Sequence, residues 1–477
     1  MRILLVEDNA SFAGDIDSAL RDIPYCEIDW VKSQEEAIQR LGSEFYDIIL
    51  LDREISPSPA RGLEASVEHG WSLFLHIVST TPGIPVRFLT GFWDTSLADA
   101  VMQYARPARA CGAGSEIPMY TGVAKSEVHL LKREIEALAD RISKINSIQV
   151  TIESRNTPTK WEEERVLRLY ASIRGGASIL ATPFTDGLSG ANVHKVSVLN
   201  PDQSVREVCV AKIGPSKEIQ VEQVKHRDFF TQLGGGCVPN RTELIDAGAG
   251  SWAGAFYSVA GSNTMNLFEV ISIDESRAGK IVQSIEVAQD HWRNGYQARH
   301  VSIRQLRQRY IGNFKLENVS DSITDLRVSD VEVLSILVGE CVQHRDLHGG
   351  NVLVSDNDVF HFIDYAEAQP DCACSDAVML ELSIIFHKES ANLRTAWPRP
   401  DNLKNWCDLE LYLEGCPYPN FVRQCRAWAL RCAGSENEVW AMAYAISLRQ
   451  LQYADVAKEN TIMIAESCIQ NLLSSQS

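Results

Sequence analysis

The eight residues from His344 to Asn351, with the sequence HRDLHGGN, constrain the fold of this chain more than any other segment. Within them, Asp346 is followed five positions later by Asn351. The next apolar run is predicted to be a strand, Val359 to Ile363, and it ends at Asp364. This order of aspartate, asparagine, strand and aspartate is specific, because each polar residue has a separate task. For the octapeptide alone, the alternative interpretation is a polar loop whose His and Asp side chains cap turns.

The segment resembles the H-R-D-L-x-x-x-N catalytic loop of kinase-fold phosphotransferases. The resemblance implies that Asp346 accepts the proton of an attacking hydroxyl group and that Asn351 binds a magnesium ion on the ATP phosphates. Asp364 lies where the second metal-binding carboxylate of that fold belongs. The implied cofactors are therefore Mg²⁺ and ATP.

Two segments before this loop fit the same fold. Val208 to Lys212 is a short apolar strand that ends in a lysine, similar to the V-A-I-K strand whose lysine holds the α- and β-phosphates. Before it, the sequence GLSGANV has glycines that let backbone amides approach phosphate oxygens. Its predicted nucleotide-binding residues are Gly187, Ser189 and Gly190. The segment lacks the full G-x-G-x-x-G spacing, so a plain hairpin turn is the alternative.

A helical pattern from Lys217 to Leu233 follows the lysine strand. Either Glu218 or Glu222 could form the ion pair that positions Lys212. We favour Glu222, because three apolar side chains of the helix could then pack beside it. An exposed glutamate without such a role is the alternative at either position.

This half of the chain resembles the aminoglycoside and choline phosphotransferase branch of the kinase fold, from about Ala181 to Phe386. His348 matches the second histidine of that branch's H-G-D-L-H-x-x-N pattern, although Arg345 replaces its glycine. Asp364-Tyr365-Ala366 stands in place of D-F-G. An apolar helical stretch begins at Asp376, too soon after that motif for a protein kinase's activation segment. The resemblance implies an α+β bilobal domain that phosphorylates a hydroxyl acceptor, whose identity stays open.

The first third of the chain carries an independent pattern, in which three apolar strands each end in polar residues. The strands and the residues after them are Arg2 to Val6 before Glu7 and Asp8, Ile48 to Leu51 before Asp52, and Val86 to Leu89 before Thr90. In an open parallel sheet the carboxyl ends of the strands meet at one crevice, where ligands bind. Polar residues that cap helices explain any one of these strand ends but not all of them together.

This pattern resembles the receiver domain of response regulators, which has an α/β doubly wound parallel-sheet fold. The resemblance implies that Asp52 is the phosphoacceptor and that Glu7, Asp8 and Asp52 bind Mg²⁺. Thr90 and a lysine after the last strand would contact the phosphoryl group, and Lys125 is the candidate lysine. A cognate histidine kinase is the implied partner.

Two insertions distinguish this segment from an ordinary receiver. One spans Ser56 to Gly62, between the aspartate and the threonine, and has loop composition. The other spans Arg106 to Gly114, between the threonine and the lysine. Because both lie near the surfaces that normally transmit phosphorylation, we expect the readout of the switch to differ from that of an ordinary receiver.

A helix with a regular apolar period joins the two halves. Its apolar residues recur at alternating intervals of three and four, the spacing of a coiled-coil seam: Val128, Leu131, Ile135, Leu138, Ile142 and Ile145. A homodimer through this seam is one interpretation, and a single amphipathic helix packed on its own domain is the other. The polar segment from Glu153 to Pro158 predicts a domain boundary, and Trp161 to Ile173 is predicted to be a helix.

We therefore predict a receiver domain over 1–127, a helical linker over 128–158 and a kinase-like domain over 159–477. The N-lobe of the kinase-like domain is placed at about 159–265 and its C-lobe at about 266–477. The leading hypothesis is a response regulator in which phosphorylation of Asp52 controls an ATP-dependent phosphotransferase. The alternative is a signalling adaptor whose kinase-like half binds nucleotide or a partner protein without turnover. A scaffold would have no chemical need for the complete set of nucleotide and metal residues.

Composition sets the remaining expectations. With 45% hydrophobic and 23% charged residues in 477, the chain is expected to form more than one globular domain. It contains no apolar run of the roughly 18 residues that a membrane span needs, so no membrane association is expected. The ATP chemistry that the resemblance implies predicts a cytoplasmic location, where the twelve cysteines, scattered through apolar segments, are expected to be reduced. A net charge of −18 argues against nucleic-acid binding.

Overall fold

The computed structural model describes residues 1–59, 64–91, 95–153, 160–185, 191–233, 236–258 and 264–475. The chain divides into two compact units. The amino-terminal unit contains Met1–Gln220 and Asn240–Ser258, and the carboxy-terminal unit contains Val221–Pro239 and Val259–Ser477. The amino-terminal unit therefore includes the segments predicted to be the receiver and the linker, together with much of the predicted N-lobe.

A parallel sheet with helices between its strands forms the first part of the amino-terminal unit. Its strands, with one short hairpin, are β1 (Arg2–Val6), β2 (Glu27–Val31), β3 (Ile48–Asp52), β4 (Val86–Thr90), β5 (Pro107–Ala108), β6 (Ile117–Pro118) and β7 (Tyr120–Ala124). The helices are α1 (Ala10–Leu20), α2 (Gln34–Ser43), α3 (Val67–Thr80), α4 (Thr95–Met102) and α5 (Val128–Asn146). The five-stranded order is β2-β1-β3-β4-β7, which is the 2-1-3-4-5 order of flavodoxin-like doubly wound folds. This part fits a receiver domain, as predicted.

Local sequence explains why these elements form. β3 and β4 are buried along their whole length, as expected for parallel strands covered by helices on both faces. Polar residues after the strands then begin the helices. The Asn9 side chain accepts hydrogen bonds from the amides of Ser11 and Phe12 at the start of α1, and Ser33 accepts one from Glu36 at the start of α2.

The second part of the amino-terminal unit is a six-stranded sheet with one covering helix. Its strands are β8 (Gln149–Ile152), β9 (Ser178–Thr185), β10 (Asn192–Leu199), β11 (Val205–Pro215), β12 (Arg241–Ile245) and β13 (Trp252–Tyr257), in the order β12-β13-β11-β10-β9-β8. All neighbours are antiparallel except β8 and β9. The helix is α6 (Trp161–Ile173), which confirms the predicted helix, and its Val166 and Tyr170 are fully buried in the core over the sheet.

Helix α5 does not present an apolar seam to a partner. Leu131, Ile135, Leu138 and Ile142 are at most 4% exposed and belong to the core of the first sheet. Ile145, one turn further on, is 1% exposed and belongs to the core of the second sheet. The homodimer interpretation of this pattern is therefore wrong for these residues, because the same chain already covers them. The alternative, a single amphipathic helix packed on its own domain, is confirmed.

The carboxy-terminal unit is mixed α/β, with many helices and two small antiparallel sheets. After α7 (Ser216–Asp228), whose first residues belong to the amino-terminal unit, its helices are α8 (Leu267–Ile273), α9 (Glu275–Gln289), α10 (Ile303–Gln308), α11 (Asn313–Glu317), α12 (Val328–Glu332), α13 (Ser375–Phe386), α14 (Pro400–Lys404), α15 (Leu409–Tyr412), α16 (Pro419–Cys432), α17 (Glu436–Gln450) and α18 (Lys458–Ser474). Its strands are β14 (Thr264–Asn266), β15 (Gln297–Ser302), β16 (Ser335–Gln343), β17 (Val352–Ser355), β18 (Phe360–Phe362) and β19 (Gln369–Cys372). The two sheets have the orders β14-β17-β18 and β15-β16-β19.

Helix α13 lies at the centre of this unit. All of its residues are buried, including Asp376 and Glu381. The Glu381 carboxylate accepts two hydrogen bonds from the guanidinium group of Arg426 on α16, at 2.7 and 2.9 Å. A helix buried on all sides needs such partners for its polar side chains, because an unpaired buried charge is strongly unfavourable.

Within the described ranges, no helix is both long enough and apolar enough to span a membrane.

Candidate functional site

An acidic pocket lies at the carboxyl ends of β1 and β3. Glu7 and Asp8 follow β1, and Asp52 is the last residue of β3. One carboxylate oxygen from each of the three lies within 4.8 Å of the other two. Glu7 is fully buried and Asp52 is 6% exposed. Three converging carboxylates are a donor set that suits a hard divalent cation such as Mg²⁺.

Lys125 supplies the positive charge of this pocket. Its Nζ lies 2.8 Å from Glu7 Oε2 and 2.8 Å from Asp52 Oδ2. Burial alone would lower the pKa of Lys125, but its hydrogen bonds to the two carboxylates raise it, and the net pKa is raised. Burial raises the pKa of Glu7 to about 7, against the opposing effect of Lys125.

Thr90 completes the set of predicted receiver residues at this edge. It is the last residue of β4 and is 4% exposed. β4 pairs with β7 so that Thr90 stands opposite Ala124, the residue before Lys125. The other neighbour of β4 is β3, where Asp52 stands opposite Leu89. The fold thus brings all five predicted receiver residues to the carboxyl ends of the strands. There a carboxylate, a hydroxyl and an ammonium group could act on one phosphoryl group.

The amino-terminal ends of the strands in the same sheet contact the six-stranded sheet. The Arg165 guanidinium on α6 donates to Asp47 Oδ1 at 2.8 Å, just before β3, and the two side chains are 5% and 6% exposed. Arg165 also donates to the Gly248 carbonyl at 3.0 Å and to Asn146 Oδ1 at 2.8 Å. One buried arginine therefore joins the five-stranded sheet, the end of α5 and the β12–β13 loop.

The second predicted insertion, from Arg106 to Gly114, takes part in this contact. Arg106, beside the β5–β6 hairpin, forms an ion pair with Asp246 after β12 and donates to its carbonyl at 3.0 Å. Gly83 exchanges backbone hydrogen bonds with Gly248 and Gly250, at 2.7 and 3.0 Å. A Cβ atom at Gly248 would lie 2.1 Å from the Ala110 carbonyl oxygen, so only glycine fits there. The insertion is thus part of a close contact between the two sheets of the amino-terminal unit.

In the carboxy-terminal unit, Asp376 anchors the loop that follows β16. Its Oδ2 accepts the amide of His344 at 2.7 Å and its Oδ1 accepts that of Arg345 at 2.9 Å. Gln289 on α9 donates to the same carboxylate at 2.9 Å. Burial raises the pKa of Asp376, while these donors and His344 oppose the shift. A fully buried carboxylate therefore fixes the backbone just before Asp346.

Two residues of the predicted loop system adopt left-handed backbone conformations. Arg345 has φ +65° and Asp364 has φ +63°. Glycine adopts this conformation freely, which explains why a glycine suits the position that Arg345 occupies. Arg345 is held there by an ion pair, because its Nε lies 2.7 Å from Asp371 Oδ2. Aspartate tolerates the same conformation better than most residues.

Asp346, Asn351 and Asp364 lie together in this loop system. Asn351 Nδ2 donates to the Asp346 carbonyl at 2.8 Å, and the Ile363 amide donates to the Asn351 carbonyl at 3.0 Å. The Asp346 side chain is 32% exposed, and its Oδ1 lies 3.3 Å from Nη2 of Arg449 on α17. The Asp346 carboxylate is thus partly open to a ligand, and the Asn351 side chain is hydrogen-bonded to the backbone of the same residue.

A stack of aromatic rings lies next to Asp346. The rings of His348 and His387 are parallel to within 21°, with centroids 4.0 Å apart. Phe268 stacks on His387 at 5.3 Å. Burial lowers the pKa of both histidines to about 3, so both are neutral near pH 7.

The remaining predicted nucleotide residues are distributed between the two units. Lys212 is 5% exposed on β11, opposite Val193 and Ala255 on the neighbouring strands, in the amino-terminal unit. Glu222 is 2% exposed on α7, in the part of that helix that belongs to the carboxy-terminal unit. Gly187, Ser189 and Gly190 lie outside the described residues.

Sequence reasoning missed three functional candidates. It placed Asp376 only as the start of a helix, although an aspartate at the beginning of a mostly apolar run was a signal for a buried anchor. Arg449 carries no local motif, because it meets Asp346 only through tertiary packing. The Arg165–Asp47 ion pair joins residues 118 positions apart, and no sequence pattern marks it.

No family model matches this chain, and neither does any curated protein. Solved structures of receiver domains are similar to its first third. One is the CheY-like response regulator receiver domain protein from Methanospirillum hungatei, with 19% identity over 30% of this chain and 96% of that chain and a TM-score of 0.21. Another, the N-terminal domain of a response regulator/sensory box/GGDEF protein from Carboxydothermus hydrogenoformans, has 22% identity over 31% and 98%, with a TM-score of 0.22.

A third similar structure is the receiver domain of a signal transduction histidine kinase from Syntrophus aciditrophicus, with 18% identity over 34% of this chain and 98% of that chain and a TM-score of 0.23. The strand order of the first sheet independently describes a flavodoxin-like fold. By that strand order, the first third of the chain contains a five-stranded parallel α/β sheet of the doubly wound type.

Proposed function

We propose that this protein is a two-component response regulator in which phosphorylation of Asp52 controls an ATP-dependent phosphotransferase acting on a hydroxyl acceptor. The observation that carries the proposal is the pocket at the carboxyl edge of the first sheet. There the Asp52 carboxylate lies beside two further carboxylates and 2.8 Å from the Lys125 ammonium group. This donor set has the charges needed for metal-assisted phosphoryl transfer to Asp52 from a partner histidine kinase.

Phosphorylation would change the partners of Lys125 and Thr90. In the unphosphorylated protein Lys125 is bound to Asp52 and Glu7. A phosphoryl group on Asp52 adds oxygen acceptors and negative charge, so Lys125 and the Thr90 hydroxyl would both turn toward it. The switch is therefore a local electrostatic change at the start of α5.

Helix α5 is suited to carry that change to the second sheet. It begins at Val128, three residues after Lys125, and its 19 residues extend about 28 Å. Its last turn supplies Ile145 to the core of the second sheet and Asn146 to the Arg165 cluster. A shift of Lys125 would thus displace one end of a continuous helix whose other end packs beneath the strands that include Lys212 on β11.

In the output half, Asp346 would orient the acceptor hydroxyl and receive its proton, while Asn351 and Asp364 would hold Mg²⁺ on the ATP phosphates. Bound Mg²⁺ would neutralise the charge of the transferring group. The Asp376 anchor supports this role, because it fixes the backbone of the two residues before Asp346 while leaving that carboxylate 32% exposed. Lys212 would place one positive charge on the α- and β-phosphates.

Mg·ATP affinity separates this proposal from a nucleotide-binding adaptor. Asp364→Asn removes a metal ligand, so Mg²⁺-dependent ATP affinity should fall at least tenfold, since the metal neutralises the phosphates. Asp346→Asn removes no phosphate contact, so affinity should stay near wild type while turnover falls by orders of magnitude. Lys212→Ala should give an intermediate affinity. The matched control is Asp358→Asn, a 57% exposed aspartate in the turn between β17 and β18.

Isothermal titration with Mg·ATP, with and without a chelator, measures these affinities. Equal affinity in the wild type and in both the Asp346 and Asp364 variants would contradict the phosphotransferase and favour a kinase-shaped binding module.

A further inference from the structure

The charge beside Asp346 distinguishes this candidate site. Arg449 Nη2 lies 3.3 Å from Asp346 Oδ1, and the Arg449 side chain is 22% exposed. Buried arginines of the same unit hold their carboxylates more closely, at 2.7 Å in the pairs Arg307–Glu332, Arg345–Asp371 and Arg426–Glu381. Charge-assisted bonds between arginine and carboxylate are normally about 2.7–2.9 Å long. Arg449 therefore lies farther from Asp346 than these arginines lie from their carboxylates, and its side chain stays partly exposed.

The neighbouring histidines do not supply this charge. His348 Nδ1 accepts the Gly350 amide at 3.1 Å, so in the neutral ring the proton lies on Nε2, 4.0 Å from Asp346 Oδ2. His387, stacked on His348, is neutral as well. The histidines thus provide an apolar wall and one neutral donor, and Arg449 provides a full positive charge next to the proton acceptor.

We propose that the phosphoryl acceptor is an anionic hydroxyl compound, whose carboxylate or phosphate group binds Arg449. This proposal rests on the phosphotransferase function proposed above. An arginine fork matches the two oxygens of such a group. A cationic amino alcohol would instead place its charge against the guanidinium group and be repelled.

The distances limit the size of the acceptor. Its hydroxyl must come within about 3 Å of Asp346, and its anionic group within about 3 Å of the guanidinium nitrogens. Since Asp346 and Arg449 are 3.3 Å apart, the hydroxyl oxygen and the anionic group are separated by roughly 9 Å or less. A hydroxyl one to three carbons from a carboxylate or phosphate satisfies this limit.

Arg449 then acts as a specificity-determining residue that changes partner on binding. When the acceptor anion binds Arg449, the Asp346 carboxylate is released to accept the hydroxyl proton. The acceptor oxygen forms a bond to the γ-phosphorus of ATP while the bond from that phosphorus to the β–γ bridging oxygen breaks. The proton passes to Asp346, and ADP leaves with the electron pair of the broken bond.

Small hydroxyl compounds that differ in charge test this assignment. Glycerate and glycerol 3-phosphate carry the anion, glycerol lacks it, and choline carries a cation. ADP release with Mg·ATP gives kcat/KM for each compound, and calorimetry with a non-hydrolysable ATP analogue present gives its binding. The full-length wild type is compared with Arg449→Gln and Arg449→Lys. Arg423→Gln is the matched control, because Arg423 pairs with Glu410 at 2.8 Å with both side chains exposed.

The wild type should prefer at least one anionic compound over glycerol by tenfold or more in kcat/KM or in affinity. Arg449→Gln should remove most of that preference, mainly by raising KM, while Arg449→Lys keeps part of it and Arg423→Gln keeps all of it. Whether the carboxylate or the phosphate is preferred identifies the anion.

Binding or turnover that favours choline or glycerol would overturn the proposal, as would failure of both anions to bind. An equal loss for all acceptors in Arg449→Gln would also overturn it, because Arg449 would then only position Asp346. Mg·ATP affinity that still depends on Asp364 would leave the phosphotransferase proposal standing in each of these cases.

Discussion

Replacement of Arg165 by methionine should disrupt the contact between the two sheets of the amino-terminal unit. Methionine keeps much of the side-chain volume but leaves Asp47 Oδ1, the Gly248 carbonyl and Asn146 Oδ1 without the donor that lies 2.8–3.0 Å from each. Removal of one partner of a buried ion pair typically costs about 3–5 kcal/mol of folding free energy. In this variant Asp47 Oδ2 still accepts a hydrogen bond from the Arg2 amide at 2.8 Å, so the carboxylate is not left without any donor. The expected loss of folding free energy is therefore near the lower end of that range, about 3 kcal/mol.

Urea unfolding followed by circular dichroism measures this loss. With an m value of about 3 kcal/mol per molar for a unit of this size, the midpoint should fall by roughly 1 M. Asp47→Asn in the Arg165→Met background removes the orphaned charge and should recover at least about 1 kcal/mol. Arg168→Met on the same helix is the control, because its pair with Glu164 is partly exposed, and it should cost less than about 1 kcal/mol. Equal midpoints for Arg165→Met and Arg168→Met would refute the view that this cluster holds the sheets together.

Three further outcomes follow from the same structure. Acetyl phosphate with Mg²⁺ should label the protein at Asp52. Asp52→Asn should abolish the labelling and Asp8→Asn should weaken it, while Asp15→Asn, at an exposed position, should leave it unchanged. Acid-labile labelling of Asp52→Asn would be inconsistent with this site. Ile135→Glu places a charge at a fully buried position and should lower stability by about 3 kcal/mol or more without a change in sedimenting mass, and a smaller mass at unchanged stability would restore the dimer interpretation. Burial raises the pKa of Glu438 from 4.5 to about 7, so the folded state binds this proton more tightly than the unfolded state does. The free energy of unfolding should therefore fall by up to about 3 kcal/mol from pH 5 to pH 8 in urea titrations, and Glu438→Gln should lack this loss. Identical pH profiles for the wild type and Glu438→Gln would contradict this expectation.

The first sheet was predictable because its strands are continuous apolar runs with polar residues at the carboxyl ends. That pattern fixes both the burial of β1, β3 and β4 and the edge where Glu7, Asp52 and Thr90 meet. Lys125 followed from its place after the last strand. The pocket geometry at this edge therefore agrees with local sequence signals.

The period of α5 predicted a buried stripe but not what buries it. An apolar repeat of three and four residues states only that one helix face avoids water, and a partner chain or the same chain satisfies it equally. Here residues from Leu131 to Ile142 pack in one core and Ile145 in another. The choice depends on contacts distant in sequence, which a single helix pattern cannot encode.

The roles of Arg345 and Asp376 show the same limit at the candidate catalytic loop. The replacement of a glycine by Arg345 is intelligible only from its positive φ and its ion pair with Asp371. Asp376 is 30 positions or more from the amides it holds, so its function emerges only when α13 packs under the loop. The spacing within HRDLHGGN predicted the loop itself. The side chains that hold the loop in place, Asp371 and Asp376, lie elsewhere in the chain.

The most direct test of a receiver-controlled phosphotransferase measures Mg·ATP affinity and ATP turnover of the full-length protein before and after treatment with acetyl phosphate, alongside Asp52→Asn treated identically. Phosphorylation should change affinity or turnover of the wild type at least fivefold, in line with a typical allosteric coupling of 1–3 kcal/mol, and leave Asp52→Asn unchanged. Stoichiometric phosphorylation of Asp52 with no change in either quantity would contradict the account.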